Sequence, residues 1–367
     1  MNLLKELEGL EEKEDVLIQL KRETLPLVMW GAGSLAIEIK DFLKNQGIFL
    51  ADIFVDDEYY CEGMTMDGKN ILSFSELIKK YAEVNIILGN SNYEKISMLE
   101  NRKGVNKVFY FFSINYGVYE KTPISDIQNN IDGFEAVYQM LGDEISRENY
   151  LAFLKTRVSG NYRYILDVYK KECNFFRNDI FTIGENEVFL DVGAFDGDTI
   201  RIFLKENGGK YRAIYALEPD SINRNKLEKF IEDSQMQNAF VSEKGAWDKA
   251  EKLHFLSNLE QMSGVITEAH AEDDGTSIMV DTLDTLFQYT NDVTILKINY
   301  REGVKEALNG AKYILKNHKP KLAIVVGFDC QNIVSIPQLI KDINPDYKLY
   351  LRYNRGMIST LTLYGIV

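Results

Sequence analysis

The chain has 367 residues, 45% hydrophobic and 27% charged, a composition that supports packed cores and a length that favours two domains over one. Its 56 acidic and 42 basic side chains leave a formal charge of −14, which repels phosphate backbones and argues against nucleic acid as a partner. No apolar run approaches the roughly 20 residues of a membrane span, and the charged N-terminus lacks a signal-peptide core. Cys61, Cys173 and Cys330 are isolated, as are His254, His270 and His318. The expectation is therefore a cytoplasmic protein with reduced thiols and no resident metal, with homo-oligomerisation left open.

Leu3, Leu4, Leu7, Leu10, Leu17 and Leu20 recur among acids and lysines, and this spacing predicts one or two amphipathic helices over residues 1–22. From there the pattern changes. "LPLVMWGAG", "ADIFVDD", "VNIILGN" and "VNKVFYFF" are strand-like runs separated by helical stretches such as "SFSELIKKYAE". Such alternation predicts a small parallel α/β, Rossmann-like domain over 23–122. Its first turn carries Gly31, Gly33 and Ala36 in a G-x-G-x-x-A pattern, and Asp56 closes the next strand-like run. These residues could cradle a nucleotide with its ribose on Asp56. Alternatively, the glycines only permit a tight turn and Asp56 caps a loop. A third turn opens on Asn90 and Ser91.

Residues 123–177 are poor in glycine and rich in helical patterns, and predict a helical connector. Its aromatics, among them Tyr150, Phe153, Tyr162, Tyr164, Tyr169, Phe175 and Phe176, are either core residues or the wall of an acceptor pocket. Seven strand-like segments follow over 178–367: "EVFLDVGA", "AIYALEP", "NAFVSEKGAW", "VTILKIN", "KLAIVVG", "KLYLRY" and "LTLYGIV". Helical patterns separate the first five. Only "NRGMIS" joins the last two, which predicts an antiparallel hairpin at one sheet edge.

The segment "VFLDVGAFDGDT" sets Asp191, Gly193, Ala194, Gly197 and Thr199 where a strand turns into a helix. Gly193 would let the backbone approach a ligand, and the helix N-terminus offers free N–H groups to a carboxylate. Asp191 could hold an ammonium, directly or through water. Glu218 ends the following strand-like run, where a carboxylate can grip ribose hydroxyls. The pattern D-x-G-x-x-x-G-D-T, the Glu-Pro that ends the second run and the five further strand-like segments make S-adenosylmethionine (SAM) the expected cofactor. Trp247, after the third run, would then either stack on the adenine or simply pack. A nucleotide-binding domain of another kind stays open, although the tighter G-x-G-x-x-G of dinucleotide dehydrogenases is absent here. His254, in an alternating stretch, is expected on an exposed strand face.

Four stretches, "NDIFTIGENEVFLDVGAFDGDTIRIFL", "DTLDTLF", "ALNGAKYILKNHKPKLAI" and "IPQLIKDINPDYKLYLRY…TLYGIV", resemble the FkbM-type methyltransferases over roughly residues 145–367. The resemblance implies a seven-stranded class I SAM methyltransferase Rossmann fold, preceded in some members by a small Rossmann-like domain. It also implies methylation of hydroxyls on sugars, glycans or secondary metabolites.

One departure bears on catalysis. The family's fourth strand commonly reads K-x-D-x-E-G-A-E, and here the match is "KINYREGV". Lys297 is kept, but the carboxylate positions read Asn299, Arg301 and Val304; a one-residue shift recovers Glu302-Gly303 and not the Asp. A Tyr-His pair closing the fifth strand in part of the family is Gly327-Phe328. Three readings follow: an amine-directed enzyme, a hydroxyl-directed enzyme with its base elsewhere, or a SAM-binding pseudoenzyme that scaffolds a glycan-modification pathway. In the first two, Asn299 is expected to orient the acceptor, with Tyr300 and Arg301 beside it selecting a polar or anionic molecule.

Overall fold

Short apolar runs ending in glycine or aspartate build the N-terminal parallel sheet. The structure, a computed structural model, describes residues 2–13, 15–90, 95–110, 121–169, 174–176, 179–256, 264–265, 277–287, 292–354 and 360–367. Ser91, Cys173, His270 and residues 355–359 lie outside the described residues. The chain divides into two units, residues 1–131 with 151–168 and residues 132–150 with 169–367.

In the first unit, β1 (Leu27–Trp30), β2 (Asp52–Val55), β3 (Leu72–Ser73), β4 (Val84–Leu88) and β5 (Val105–Tyr110) form an all-parallel sheet in the order β3-β2-β1-β4-β5. Every residue of β1 and β4 is buried, as expected of parallel strands covered on both faces. Helix α1 (Ser34–Asn45) follows β1 and buries Ala36, Ile39 and Leu43. Helix α2 (Phe74–Lys80) starts with a reciprocal cap between Ser73 and Glu76, and α3 (Ile96–Glu100) precedes β5. Residues 1–22 form three short helices, Leu3–Leu7, Leu10–Lys13 and Val16–Arg22, rather than one or two. Val16 and Leu20 pack with Leu27, Met29, Ile39 and Leu43 in the core of this unit.

Helices α4 (Ile124–Asn129), α5 (Ile131–Met140), α6 (Glu144–Ser159) and α7 (Arg163–Val168) follow. Tyr150, Phe153, Tyr162 and Phe176 are buried. The Tyr150 hydroxyl donates to the Phe134 carbonyl at 3.0 Å, and Phe176 meets Phe189 and Phe203 edge-on. For these four aromatics, core packing is what the structure realises.

In the second unit the main sheet contains β6 (Val188–Val192), β7 (Ala213–Leu217), β8 (Ala239–Ser242), β13 (Ile295–Ile298), β14 (Lys321–Val325), β15 (Lys348–Tyr353) and β16 (Leu361–Ile366). Their order is β8-β7-β6-β13-β14-β16-β15, with β16 antiparallel to β14 and to the edge strand β15. Helices α8 (Asp198–Glu206), α9 (Ser221–Asp233), α11 (Val304–Asn309) and α12 (Asn332–Ile343) connect the parallel strands. Arg352, on β15, holds Asp179 through paired hydrogen bonds of 2.9 and 2.8 Å and reaches Asp143 and Ser146 at 2.7 and 3.0 Å.

Two expectations need correction. The third run splits: β8 joins the main sheet, whereas β9 (Gly245–Ala246) belongs to a second sheet, because the Ser242 hydroxyl accepts the Lys244 N–H at 3.2 Å and turns the chain away. The next connection is not simply helical. It holds β10 (Glu251–Leu256), β11 (Gly264–Val265), β12 (Ser277–Asp281) and a one-turn helix α10 (Leu283–Leu286), with sheet order β9-β12-β10-β11. The period-two alternation around His254 is the cause, and His254 lies exposed on β10 as expected. Among the described residues, no helix is long and apolar enough to cross a membrane.

Candidate functional site

β6 is the sequence VFLDV, and all five residues are buried. A carboxylate within such a strand needs a partner. Lys297 supplies it from directly across on β13, where the parallel register pairs it with Asp191. The ammonium lies 2.7 Å from Asp191 Oδ1 and donates to the Gly193 carbonyl at 2.7 Å. Asp191 is 0% and Lys297 1% exposed. Among the described residues no other donor reaches either Asp191 oxygen, so Lys297 alone answers its charge. Burial pushes the Asp191 carboxyl up to about 6 against the pull of Lys297. The cation that Asp191 faces is thus part of the chain itself. Its signal was present in the sequence: Lys297 is the sole charge in "VTILKIN", the apolar run of a central strand.

Past β6 the chain turns through three left-handed residues, Gly193 (φ +76°), Phe195 (φ +51°) and Gly197 (φ +88°). The Gly193 and Ala194 N–H groups donate to the Leu217 carbonyl at 3.0 and 3.1 Å, which ties the turn to β7. A Cβ on Gly193 would sit 2.6 Å from the Asn299 carbonyl oxygen and 3.1 Å from the Tyr300 ring. Glycine is required there by a neighbouring loop, whatever else it admits. Phe195 carries a side chain in a conformation that L-residues rarely adopt. In that pose its N–H donates to Glu218 Oε2 at 2.8 Å. The Asp220 N–H donates to Glu218 Oε1 at 2.9 Å. Glu218 is 7% exposed, and burial pushes its carboxyl up to about 7 although both N–H groups pull it down. Gly197 caps α8 without a side chain, and Thr199 is buried in the first turn of that helix.

The other wall comes from β13 and β9. Asn299 leaves β13 with its N–H donated to the Val192 carbonyl at 3.0 Å, and its side chain is exposed. The Tyr300 ring lies against Gly193, its hydroxyl oxygen accepts the Ala246 N–H at 3.3 Å, and burial raises its pKa. Trp247 packs beside Phe255, Ile278 and Val280 and against Gly303, where a Cβ would stand 2.5 Å from the indole. The carboxyl ends of β6, β7, β8 and β13 therefore gather Asp191, Gly193, Glu218 and Asn299 on one edge of the sheet, the edge at which ligands of open α/β sheets bind. Phe195 and the Lys297 counter-ion are the members that sequence reasoning did not single out.

No protein-family profile and no curated protein matches the chain. Among solved structures, methyltransferase FkbM from Methylobacillus flagellatus KT matches 99% of this chain and 98% of its own, with a TM-score of 0.71 at 20% identity. The chain has the fold of an FkbM-type methyltransferase. Two lesser matches span about half of it. One is an rRNA methylase from Streptococcus thermophilus (14% identity, 50% of this chain and 86% of that one, TM-score 0.31). The other is precorrin-6y C5,15-methyltransferase from Geobacter metallireducens GS-15 (12% identity, 57% and 88%, TM-score 0.32). Within the FkbM-type fold of this chain, the glycine turn, Glu218 and Lys297 keep the expected pattern. Asn299, Arg301 and Val304 stand where that pattern has carboxylates.

Proposed function

We propose that the chain binds SAM at the turn 191–199 and transfers its methyl group to a hydroxyl or amine of a sugar, a glycan or a related small polar acceptor. The observation that carries this reading is Glu218. It is a buried carboxylate at the end of β7, and each oxygen takes one backbone N–H. An ionised carboxylate offers about four lone-pair sites, so the ribose diol can donate to those that remain. At the start of α8 the Asp198 carboxylate takes the Thr199 N–H at 2.7 Å, so the methionine carboxylate would take the N–H groups of that turn that remain. Bound SAM would supply an electrophilic methyl carbon: the acceptor's lone pair forms the new bond to it in line as the S–C bond breaks, and S-adenosylhomocysteine leaves as a neutral thioether.

Alignment carries much of the acceleration of such a displacement. A general base adds a factor of about a hundred to ten thousand, mainly for hydroxyl acceptors. Asn299 orients an acceptor through its amide but does not take a proton, which favours an amine neutral when bound or a base from another element. A second reading, a SAM-binding pseudoenzyme that scaffolds a glycan-modification pathway, is favoured by Asn299, Arg301, Val304 and Phe328 together. Turnover of methyl-labelled SAM with sugar and amine acceptors separates the two. Binding is tested by calorimetry with S-adenosylhomocysteine (SAH). Glu218→Ala should weaken it by about 1.5–3 kcal/mol, the scale of a charged hydrogen bond left unmade; unchanged affinity removes the assignment.

A further inference from the structure

The G-x-G-x-x-A turn of the first unit has two glycines, and the structure accounts for one of them. Gly31 has φ +115°, and a Cβ there would lie 2.9 Å from the Gly89 carbonyl oxygen. Gly89 is required for a similar reason, since a Cβ there would lie 2.9 Å from that of Ala36. Gly33 is different. Its φ of −86° and ψ of −172° are ordinary extended values, and nothing stands within 4 Å of where a Cβ would be. It is the N-cap of the twelve-residue helix α1 and provides no side-chain cap. Ser, Asp or Asn would fit that position and satisfy an N–H of the first turn. What glycine leaves there is room and bare N–H groups, which is what a phosphate takes.

A second observation lies at the same sheet edge. The Gly31 N–H donates to the Phe54 carbonyl at 2.9 Å, and Asp56 follows at the end of β2. Asp56 is 8% exposed and precedes a short 3-10 turn, yet its side chain makes no capping hydrogen bond. Among the described residues its Oδ1 is buried and accepts no hydrogen bond. Lys95 lies 3.4 Å from Oδ2, and Arg102 lies 3.9 Å from Oδ1. Lys95 also sits over the Trp30 ring at 5.6 Å, so this cation adjoins the residue before the turn. The next carboxylate, Asp57, is engaged with the Ser75 N–H and hydroxyl. A carboxylate oxygen lacking a hydrogen-bond donor, flanked by two cations and on the same sheet edge as the N-terminus of α1, matches a ribose bearing a 5′-pyrophosphate. Such an arrangement at the end of the second strand is where a ribose is held in doubly wound folds.

We infer that the first unit is a second ligand site, which binds a nucleoside diphosphate or its ester with the ribose on Asp56 and the pyrophosphate at Gly33 and the N-terminus of α1. This is independent of the SAM reading of the second unit. The test is calorimetry on the full chain with ADP, UDP, NAD+ and inorganic pyrophosphate, each with and without SAH. A saturable site unaffected by SAH is expected, filled by a free or an esterified diphosphate; the three nucleotides distinguish these sources. Gly33→Asp should weaken it by about tenfold or more, the effect of a charge-assisted contact replaced by repulsion. The melting temperature of that variant should hold or rise, because aspartate suits the N-cap. Asp56→Asn should weaken the nucleotides and leave pyrophosphate unchanged. The inference fails if none of the four binds at millimolar concentration, if SAH displaces the nucleotide, if Gly33→Asp binds normally, or if pyrophosphate binds as tightly as the nucleotides.

Discussion

Lys297 and Asp191 face each other across β13 and β6 with 2.7 Å between ammonium and carboxylate, and both are sealed from solvent. Removing one partner leaves the other charge buried alone. Lys297→Met should therefore destabilise the protein by about 3–5 kcal/mol in urea unfolding. The double variant Lys297→Met, Asp191→Asn should lose clearly less than the sum of the two singles. Additive losses would mean that the two charges do not sustain one another.

Gly193 tests the same turn by sterics. Alanine there combines a left-handed backbone with a Cβ 2.6 Å from the Asn299 carbonyl. The expected loss is on the order of 2–4 kcal/mol, with SAH binding reduced in parallel. A Gly193→Ala protein that melts like the parent would show that the β13 loop yields at no cost.

Buried carboxyls set a pH dependence whose sign can be worked out. Glu218 and Asp191 are raised by burial to about 7 and about 6. A raised acid binds more protons folded than unfolded, so its contribution is fully present below its unfolded value of about 4–4.5 and is lost as pH rises through the folded value. Asp143, Asp179 and Glu187 are lowered, and act oppositely only under more acidic conditions. Between about pH 5 and 8 the ligand-free protein should lose on the order of 2–3 kcal/mol. Glu218→Gln should flatten that slope. SAH affinity should rise across the same range as Glu218 ionises, with proton release seen as buffer-dependent binding heat. Affinity indifferent to pH would separate Glu218 from the ligand.

Asn299 carries the acceptor side of the proposal. Asn299→Ala should lower turnover clearly while SAH affinity is nearly kept, because the residue is exposed beyond β13 and Glu218 takes its hydrogen bonds from Phe195 and Asp220 instead. Turnover equal to the parent in both Asn299→Ala and Asn299→Asp would remove this residue from the site.

Turnover should also survive EDTA. Hard cations take several oxygen ligands, commonly carboxylates, and the positions that could supply them read Asn299 and Arg301. Activity lost in EDTA and restored by magnesium or manganese would refute this.

Local patterns in the chain were enough to establish two parallel α/β layers, the glycine turn at 191–199, Glu218 at the next strand end, and the closing hairpin. Each depends on neighbours in sequence: apolar runs long enough for a strand, a turn that needs glycine, and a helix that starts after it. What required the folded chain is long-range. The parallel register of β6 and β13 decides that Asp191 meets Lys297. The approach of the β13 loop decides that Gly193 makes room for the Asn299 carbonyl, and the β9–β12 sheet claims Trp247 for packing against Gly303. In the first unit, Gly31 and Gly33 look alike as letters and differ only in their surroundings, one pressed against Gly89 and the other open. Periodicity reports which face of an element is buried, whereas the identity of the opposing residue depends on strand order and register, which no local window contains.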